Sequence, residues 1–374
     1  MTEDQRKVNL SEVVANDEGS SYQKVSFFAN DEVEGRIIKS VLIKTNIAKG
    51  KVNEVVGFQP HHFGGIFAVN GEIFTCDENT PGYDVRINQD HQYSNGLVAI
   101  NQMALQSAGF GGKSVIMATG LPIRPYYSGQ NGANKELIAK KERAFVEAEI
   151  FNQLDSHGDP SEINKDELVT ILENNVLPEA IGAYIDVTVT DKGKPTALAD
   201  EISRDVLIVD IGSFTTDIAM VGKGGQIRKE FIETYENMGF FNIYDKLAEE
   251  VVRKHSDLSP PRKEALEEAI KNPKKELRLA GKKVLDISGC CETVLKREIS
   301  SIINKIKIKL KDEIDSLDAI IITGGGAELL KSYFEKEGLA DNVVIPKDPQ
   351  YANSRGYLKW LVYLASKKVV NDLG

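Results

Sequence analysis

The sequence predicts an α/β protein built as two lobes. Its 374 residues exceed what one hydrophobic core comfortably organises, so two interiors are the default. Strand-like and helix-like runs are mixed along the chain, which indicates α/β layers and not a helical bundle. Two aspartate-glycine bends, DEGSS at 17–21 and DIGS at 210–213, are each followed by a β-branched or apolar strand. Their separation of about 190 residues is far too long for a solenoid and suits two similar domains facing each other across a cleft.

In the first half, KVSFF (24–28) and IIKSVLI (37–43) read as strands. They lead into a Gly- and Asn-spotted stretch to about residue 90, where AVNGEIF carries Asn-Gly at a hairpin turn. This stretch reads as a small β-rich insertion over about 30–92. A helix follows over 93–108, then strand SVIMATG (114–120), a long polar helix from about 134, and a strand–turn–helix unit ending in NNVLPEAIGAY (174–184). VTVTDKGKPTALADEIS (187–203) is the most linker-like segment.

The second half opens with LIVDIGSFTTDIAMV (207–221), two buried strands around a polar turn. GKGGQIRKEFIETYE (222–236) supplies a further strand pair, and charged helical material spans 239–311 with breaks at SPPRK and NPKK. Strand AIIITGGG, a helix, strand NVVIP and a last helix close the chain. The expected organisation is lobe I over 1–188, lobe II over 203–347 with a helical insertion at about 245–310, and a C-terminal helix over 348–374 that packs back on lobe I.

Charge and cysteine usage bound the function. With 46 basic against 56 acidic residues the net charge is −10, which opposes direct binding to a nucleic-acid backbone, so any DNA link passes through an adaptor. The three cysteines, Cys76, Cys290 and Cys291, have neither disulfide-framework nor CxxC spacing, which suits a reduced cytoplasm. The start, MTEDQRKVNL, lacks the apolar core of a signal peptide. The apolar run at 357–370 is broken by Lys359, Lys367 and Lys368 and reads as a packed amphipathic helix, so no membrane span is expected.

The turn at 210–217 carries the chemistry. A bend between buried strands exposes successive backbone N–H groups, and Gly212 lets the main chain approach a ligand without a Cβ in the way, which makes a phosphate cradle. Ser213, Thr215 and Thr216 add hydroxyls. Asp210 and Asp217 would repel phosphate unless a divalent cation sits between, and Asp210 is the first choice to hold the water shell of Mg2+. The competing reading is a surface hairpin whose Asp, Gly and Ser satisfy turn chemistry.

The second glycine-rich site is TGGGAELL, where Gly324, Gly325 and Gly326 join a strand to a helix and leave room for a flat nucleoside. Three glycines also serve tight strand–helix packing. SAGFGGKS (107–114) nearly spells a GxxxxGKS phosphate loop but leaves a helix and enters a strand, the wrong order for that anion nest. His61 and His62 have no metal-ligand spacing, and the paired cysteines have no nearby histidine, so both read as packing or surface residues. Glu179, after an apolar run and before a small-residue helix, is placed to orient or deprotonate a water attacking a γ-phosphate, or else to serve as a helix N-terminal acid.

Taken in order, DEGSS, LPEAIGAY, LIVDIGSFTTDI, NMGFFNIYDKL, TGGGAEL and YANSRGYL resemble the actin, heat-shock-70 and sugar-kinase superfamily, whose fold is actin-like (ribonuclease-H-like). With KTNIAKGK, YSNGLVAINQMALQSAG and ATGLPIRPYY, the chain is most similar to plasmid-segregation actins of the ParM (StbA) type over nearly its full length. The resemblance makes Asp17, Gly19, Ser20, Ser21 and Lys24 the first phosphate turn, and Asp210, Gly212, Ser213, Phe214, Thr215 and Thr216 the second. Glu179 matches the glutamate that positions the hydrolytic water, making it and Asp210 the catalytic pair. Gly324, Gly325, Gly326 and Glu328 match the adenosine segment, and Gly239 the first glycine of a pair lining the nucleotide site. Asp17 and Asp210 would hold the metal through water. Phe240 stands where that pair usually has its second glycine, Phe214 puts a ring into the phosphate turn, and VNLSEVVAN is polar for a buried first strand.

What the resemblance implies is a cytoplasmic, ATP- or GTP- and Mg2+-dependent filament. Protomers would add head to tail, hydrolysis would destabilise the polymer, and a DNA-binding adaptor at a plasmid centromere would capture filament ends. A heterologous contact that does not close into a ring generates such a filament. Two rival readings share the fold, a small-molecule kinase of the sugar type and a nucleotide-gated scaffold. The kinase should show a second carboxylate motif aimed at an acceptor hydroxyl, and none is evident.

Overall fold

The computed structural model of the protein describes residues 12–371, apart from 20, 32–34, 45, 51–63, 78–90, 131, 153–166, 280–282, 338 and 340–341. Ser20, His61 and His62 therefore lie outside the described residues. Contacts divide the chain into two compact units, Met1–Glu201 with Tyr351–Gly374, and Ile202–Gln350.

The first unit opens with strands β1 (Val13–Glu18), β2 (Tyr22–Asp31) and β3 (Gly35–Lys44), then β4 (Ile47–Lys49), β5 (Gly64–Val69) and β6 (Glu72–Asp77). Helix α1 (Asn95–Ser107), β7 (Ser114–Leu121), the short α2 (Ile123–Tyr126), α3 (Lys135–Val146), β8 (Ile150–Asn152), β9 (Thr170–Pro178), α4 (Ile181–Thr188) and α5 (Ala197–Glu201) follow. The second unit contains β10 (Asp205–Ile211), β11 (Thr215–Gly222), β12 (Gln226–Ile227), β13 (Glu233–Glu236), α6 (Phe240–Lys254), α7 (Lys263–Lys271), β14 (Glu276–Arg278) and β15 (Val284–Asp286). It ends with α8 (Ser288–Leu310), β16 (Leu317–Thr323), α9 (Ala327–Glu337) and β17 (Asn342–Val344), before α10 (Ala352–Asn371) returns to the first unit.

The two main sheets share one topology. In the first, ordered β3-β2-β1-β7-β9, an antiparallel hairpin precedes parallel strands; in the second, β12-β11-β10-β16-β17, the same sequence of pairings recurs, with β13 added on β11. Because β3 pairs along its length with β2, the smaller four-stranded sheet β4-β6-β5-β8 begins at β4 and not at residue 30. Its β5–β6 turn is the expected Asn70-Gly71, both at positive φ (49° and 80°), as a tight hairpin turn requires. The helical stretch of the second unit contains one feature the pattern concealed, the two-stranded β14–β15 ribbon.

Alternation along β1 shows how the first unit is layered. Val14 packs in the cluster with α1, Val13 and Ala15 in the cluster with α4 and α10, so helices cover both faces. Every residue of β1 is buried. Its polar Asn16 spends both amide protons internally, donating to Gln23 Oε1 and Asn101 Oδ1, each at 2.8 Å, while its Oδ1 has no hydrogen-bond partner among the described residues. Sequence polarity and central position are thus compatible.

Local signals set the helix ends. Ser94 caps α1, and Gly109 closes it at φ 87°, with Phe110 N–H on Leu105 O and Gly109 N–H on Gln106 O. SAGFGGKS is therefore a helix stop. In α10, Lys359 is buried instead of facing water; its Nζ meets Asp186 Oδ1 at 2.9 Å, and Arg355 binds the same carboxylate at 2.6 Å. At the α4–α10 crossing a Cβ on Gly356 would overlap the Gly182 carbonyl oxygen, so the helices touch backbone to backbone. The three cysteines are buried and free; burial pushes the Cys76 and Cys290 thiols up and Cys291 up to about 11, away from nucleophilic use.

Candidate functional site

In open α/β sheets ligands bind beyond the carboxyl ends of the parallel strands. In the first unit those ends carry Asp17 in β1 and Gly19 just past it, Gly120 near the end of β7, and Glu179 one residue past β9. In the second unit they carry Asp210 on β10, Gly212 just past it and the glycines 324–326 after β16. Each unit thus gathers its own candidate residues at the sheet edge where binding chemistry is expected.

The first turn is built around an ion pair. Asp17 and Lys24 stand opposite each other in the hairpin register, and Lys24 Nζ donates to Asp17 Oδ2 at 3.0 Å. A side chain on Gly19 would project onto the lysine end and lie 2.8 Å from the Tyr22 backbone oxygen, which cannot move aside as the lysine can, so the turn requires glycine there. Ser21 is half-buried beside this turn.

Behind it sits a pair that sequence reasoning did not single out. Lys141, fully buried on α3, donates to Glu18, to the Gly120 carbonyl and to Gln92 Oε1 (2.9 Å). All three ammonium protons are used, and the ends of β1 and β7 are tied together. Burial pushes Glu18 up to about 7 against the opposing Lys141 charge, and Glu18 Oε1 has no hydrogen-bond partner among the described residues. A lysine on a polar helix carries no sequence signal for such a role.

Glu179 is half-buried, with its N–H on Leu121 O at 2.8 Å. A side chain on Gly120 would meet its Cγ at 3.1 Å, so β7 leaves space for the glutamate. Ala180, the next residue, has φ 66° and ψ −41°, a sparsely allowed conformation that costs about 1–3 kcal/mol. Glu179 therefore precedes the N-cap of α4 and is not the first-turn acid.

In the second unit the turn shrinks to Gly212, Ser213 and Phe214, because β11 starts at Thr215. Its carbonyls are turned toward α6: Gly212 O accepts from Phe240 N–H (3.0 Å), Ser213 O from Phe241 N–H (2.8 Å), and Phe214 O from Gly239 and Met238 N–H (3.1 and 3.2 Å). The N-terminal amides of α6 are consumed by the turn itself. Gly239 is glycine because a Cβ there would overlap the Ser213–Phe214 backbone. Its place is behind the cradle, supporting it.

Hydroxyl directions narrow the candidate phosphate donors. Thr216 is buried and gives its proton to Met238 O (2.7 Å), since it shares the core face with Ile211. Thr215 gives its proton to Asp217 Oδ2 (2.9 Å), and Thr234 donates to Asp217 Oδ1 (2.5 Å). Burial raises the Asp217 pKa, partly offset by those two hydroxyls. Asp210 pairs with Asp217 across the hairpin and keeps a half-buried position at the sheet edge.

The glycine turn 324–326 closes on the same strand. Gly324 has φ 97°, and a Cβ there would overlap Ile211 O and lie 3.1 Å from Asp210 Oδ1, while a Cβ on Gly326 would overlap the Phe240 ring. Gly325 borders open space, and Glu328 is exposed in the first turn of α9. The structure thus brings Asp210, Gly212, Ser213, Phe214, Gly239 and the three glycines into one constellation. Phe240 occupies the side of Gly326 where a second glycine at 240 would have left room.

In the first unit Gly19 lies beside Lys24 and Asp17, and in the second Gly324 lies beside Asp210, donor sets whose chemistry fits phosphate and nucleoside groups. Among the described residues no group of three or more His, Cys, Asp or Glu could hold a metal ion. A divalent cation would therefore need phosphate oxygens and water as its main ligands. Among the described residues no helix is long and apolar enough to cross a membrane.

Residues 13–190 match the family model described as plasmid segregation protein ParM, N-terminal, and residues 208–336 match that of the archaeal actin homologue MreB-like, C-terminal. Archaeal actin homologs of Thermoplasma volcanium and Thermoplasma acidophilum are 24% and 25% identical over 154 residues, 40% of this chain. The chain spans 45% of the length of these curated relatives. Among solved structures, actin-like protein Alp7A aligns with a TM-score of 0.74 at 14% identity, over 96% of this chain and 98% of that one. The archaeal actin homolog Ta0583 in complex with ADP aligns at 0.65 and 18%, over 95% and 99%. A ParM protomer from a 15-stranded filament of Clostridium botulinum aligns at 0.59 and 18%, over 93% and 98%.

Proposed function

We propose that the chain is an actin-like protein of the ParM type, a nucleotide-dependent filament former that hydrolyses ATP. The observation that carries this reading is the pair of aspartate-bearing hairpin turns, Asp17 with Gly19 and Lys24, and Asp210 with Gly212 and Ser213, at equivalent places in two sheets of one topology. Each turn is the phosphate-binding element of its own unit, and in the second unit the glycines 324–326 take the nucleoside. Ta0583, which shares the fold, is described in complex with ADP, and GTP in place of ATP is the variant of the same reading.

Lys24 and the backbone amides of each turn bind phosphate, and Asp17 and Asp210 are the residues that would each hold water of a Mg2+ hydration shell. When bound, Mg2+ neutralises the charge that develops on the phosphates. Glu179 orients a water whose oxygen bonds to the γ-phosphorus as the bond to the ADP oxygen breaks. The water proton passes to the Glu179 carboxylate and then to the released phosphate. Glu179 and Asp210 are the residues proposed for catalysis.

Self-association follows the head-to-tail logic in which a heterologous contact that fails to close makes a filament, and the ParM from Clostridium botulinum, of the same fold, is described as one. With a net charge of −10, attachment to plasmid DNA falls to a separate DNA-binding centromere adaptor, in the cytoplasm. Light scattering with ATP and Mg2+ tests the proposal: the signal should rise on adding nucleotide and then decay. A flat trace across salt and protein concentration would sink it. Glu179→Ala should bind nucleotide normally while releasing phosphate slowly.

A further inference from the structure

We infer that Asn353 is a positioning residue for Glu179: delivered from α10, its side-chain oxygen replaces the missing N-cap of α4 and so holds the peptide that carries the glutamate. The inference rests on the reading of Glu179 as the residue that orders the attacking water.

An N-cap is normally Ser, Thr, Asp or Asn, whose oxygen satisfies N–H groups left over at the helix start. Helix α4 has Ala180 at that position, with no side-chain cap bond of its own. Asn353 Oδ1 takes its place. It accepts the Ala180 N–H at 3.1 Å and the Ala183 N–H at 3.2 Å, across 173 and 170 positions of sequence, from a buried side chain.

The consequence falls on Glu179 through the main chain. Its own N–H is fixed on Leu121 O at 2.8 Å, and the next N–H is fixed on Asn353. Between these anchors Ala180 is held at φ 66°, a conformation that persists only when its surroundings impose it. Without the Asn353 oxygen, two buried N–H groups lose their acceptor and Ala180 relaxes toward negative φ. The Glu179 side chain then swings away from the space left by Gly120.

Asn353 is not what holds the two helices together. The Gly182–Gly356 contact and the Asp186–Arg355–Lys359 cluster already secure the α4–α10 crossing.

The test uses the full chain and steady-state ATP hydrolysis. Asn353→Asp keeps an acceptor oxygen and should retain kcat within about threefold, whereas Asn353→Leu, similar in volume, should lower kcat about tenfold or more with KM for ATP moved less than about threefold. An unchanged kcat in Asn353→Leu, an equal loss in Asn353→Asp, or a rise in KM matching the fall in kcat would overturn the inference. If Asn353→Leu does not fold, Asn353→Ser, whose hydroxyl cannot reach both N–H groups, replaces it under the same criteria. Glu179→Gln is measured alongside. Parental hydrolysis by Glu179→Gln overturns the reading of Glu179 and this inference with it, while an inactive Glu179→Gln beside a fully active Asn353→Leu overturns this inference alone.

Discussion

Asp17 and Lys24 form a 3.0 Å ion pair directly across the first hairpin, whereas the same seven-residue spacing in the second hairpin sets Asp210 opposite another carboxylate, Asp217. One fold element thus carries opposite charge at equivalent places. The first turn pairs its aspartate with a cation of its own; the second holds Asp217 with two threonine hydroxyls.

Lys24 should therefore dominate anion affinity in the first unit. A hydrogen bond to a charged group contributes about 1.5–3 kcal/mol, so Lys24→Ala is expected to weaken ATP binding roughly tenfold to a hundredfold. Isothermal titration measures this directly, and an unchanged Kd would remove Lys24 from the phosphate site.

Glu18 and Lys141 should make stability depend on pH. The Glu18 carboxyl is raised from 4.5 to about 7, so its contribution is fully present below 4.5 and is lost as pH rises through about 7. Urea denaturation from pH 5 to 8 should show a decline that Glu18→Gln abolishes. Lys141→Met leaves the carboxyl without its counter-charge and should cost about 3–5 kcal/mol at pH 8. The Glu18→Gln/Lys141→Met double variant should cost less than the two single losses together, and strict additivity would show that the pair does not interact.

The α4–α10 crossing tolerates no side chain at 356. In an exposed helix Gly→Ala gains up to about 1 kcal/mol, but here the new methyl would overlap the Gly182 carbonyl. Gly356→Ala should destabilise by about 1–3 kcal/mol or more. A melting temperature at or above the parent's would mean that the helices part without cost.

Phe240 and Gly326 should be coupled. Gly326→Ala alone drives a methyl into the Phe240 ring and should disrupt the turn, while Phe240→Ala in the same chain opens the space again. A double-mutant cycle on stability should return an interaction of about 1 kcal/mol or more, as for residues in contact. Additive losses would place the ring elsewhere.

Regular elements were legible because period and turn chemistry are local. NG at 70–71, the glycine-rich stop at 109 and the apolar cores of β10, β11 and β16 each appear in a few adjacent residues. The short β14–β15 ribbon was hidden among charged residues, since three-residue strands are too brief to show alternation. Of the candidate residues, Thr216 looked like a phosphate donor from its neighbours; only the hairpin register, which puts it opposite Ile211, shows that it faces the core.

The sequence by itself determined the α/β class, the two aspartate-glycine turns, the glycine run at 324–326 and the candidate glutamate, because each is written in contiguous residues whose chemistry is intrinsic. Tertiary structure alone decided that α6 spends its first amides on the Gly212–Phe214 carbonyls, that Lys141 lies buried beneath the first turn, and that Asn353 caps a helix 170 positions away. The physical reason is distance along the chain: a hydrogen bond needs its partners within about 3 Å, and no local pattern records which remote donor and acceptor the fold brings that close.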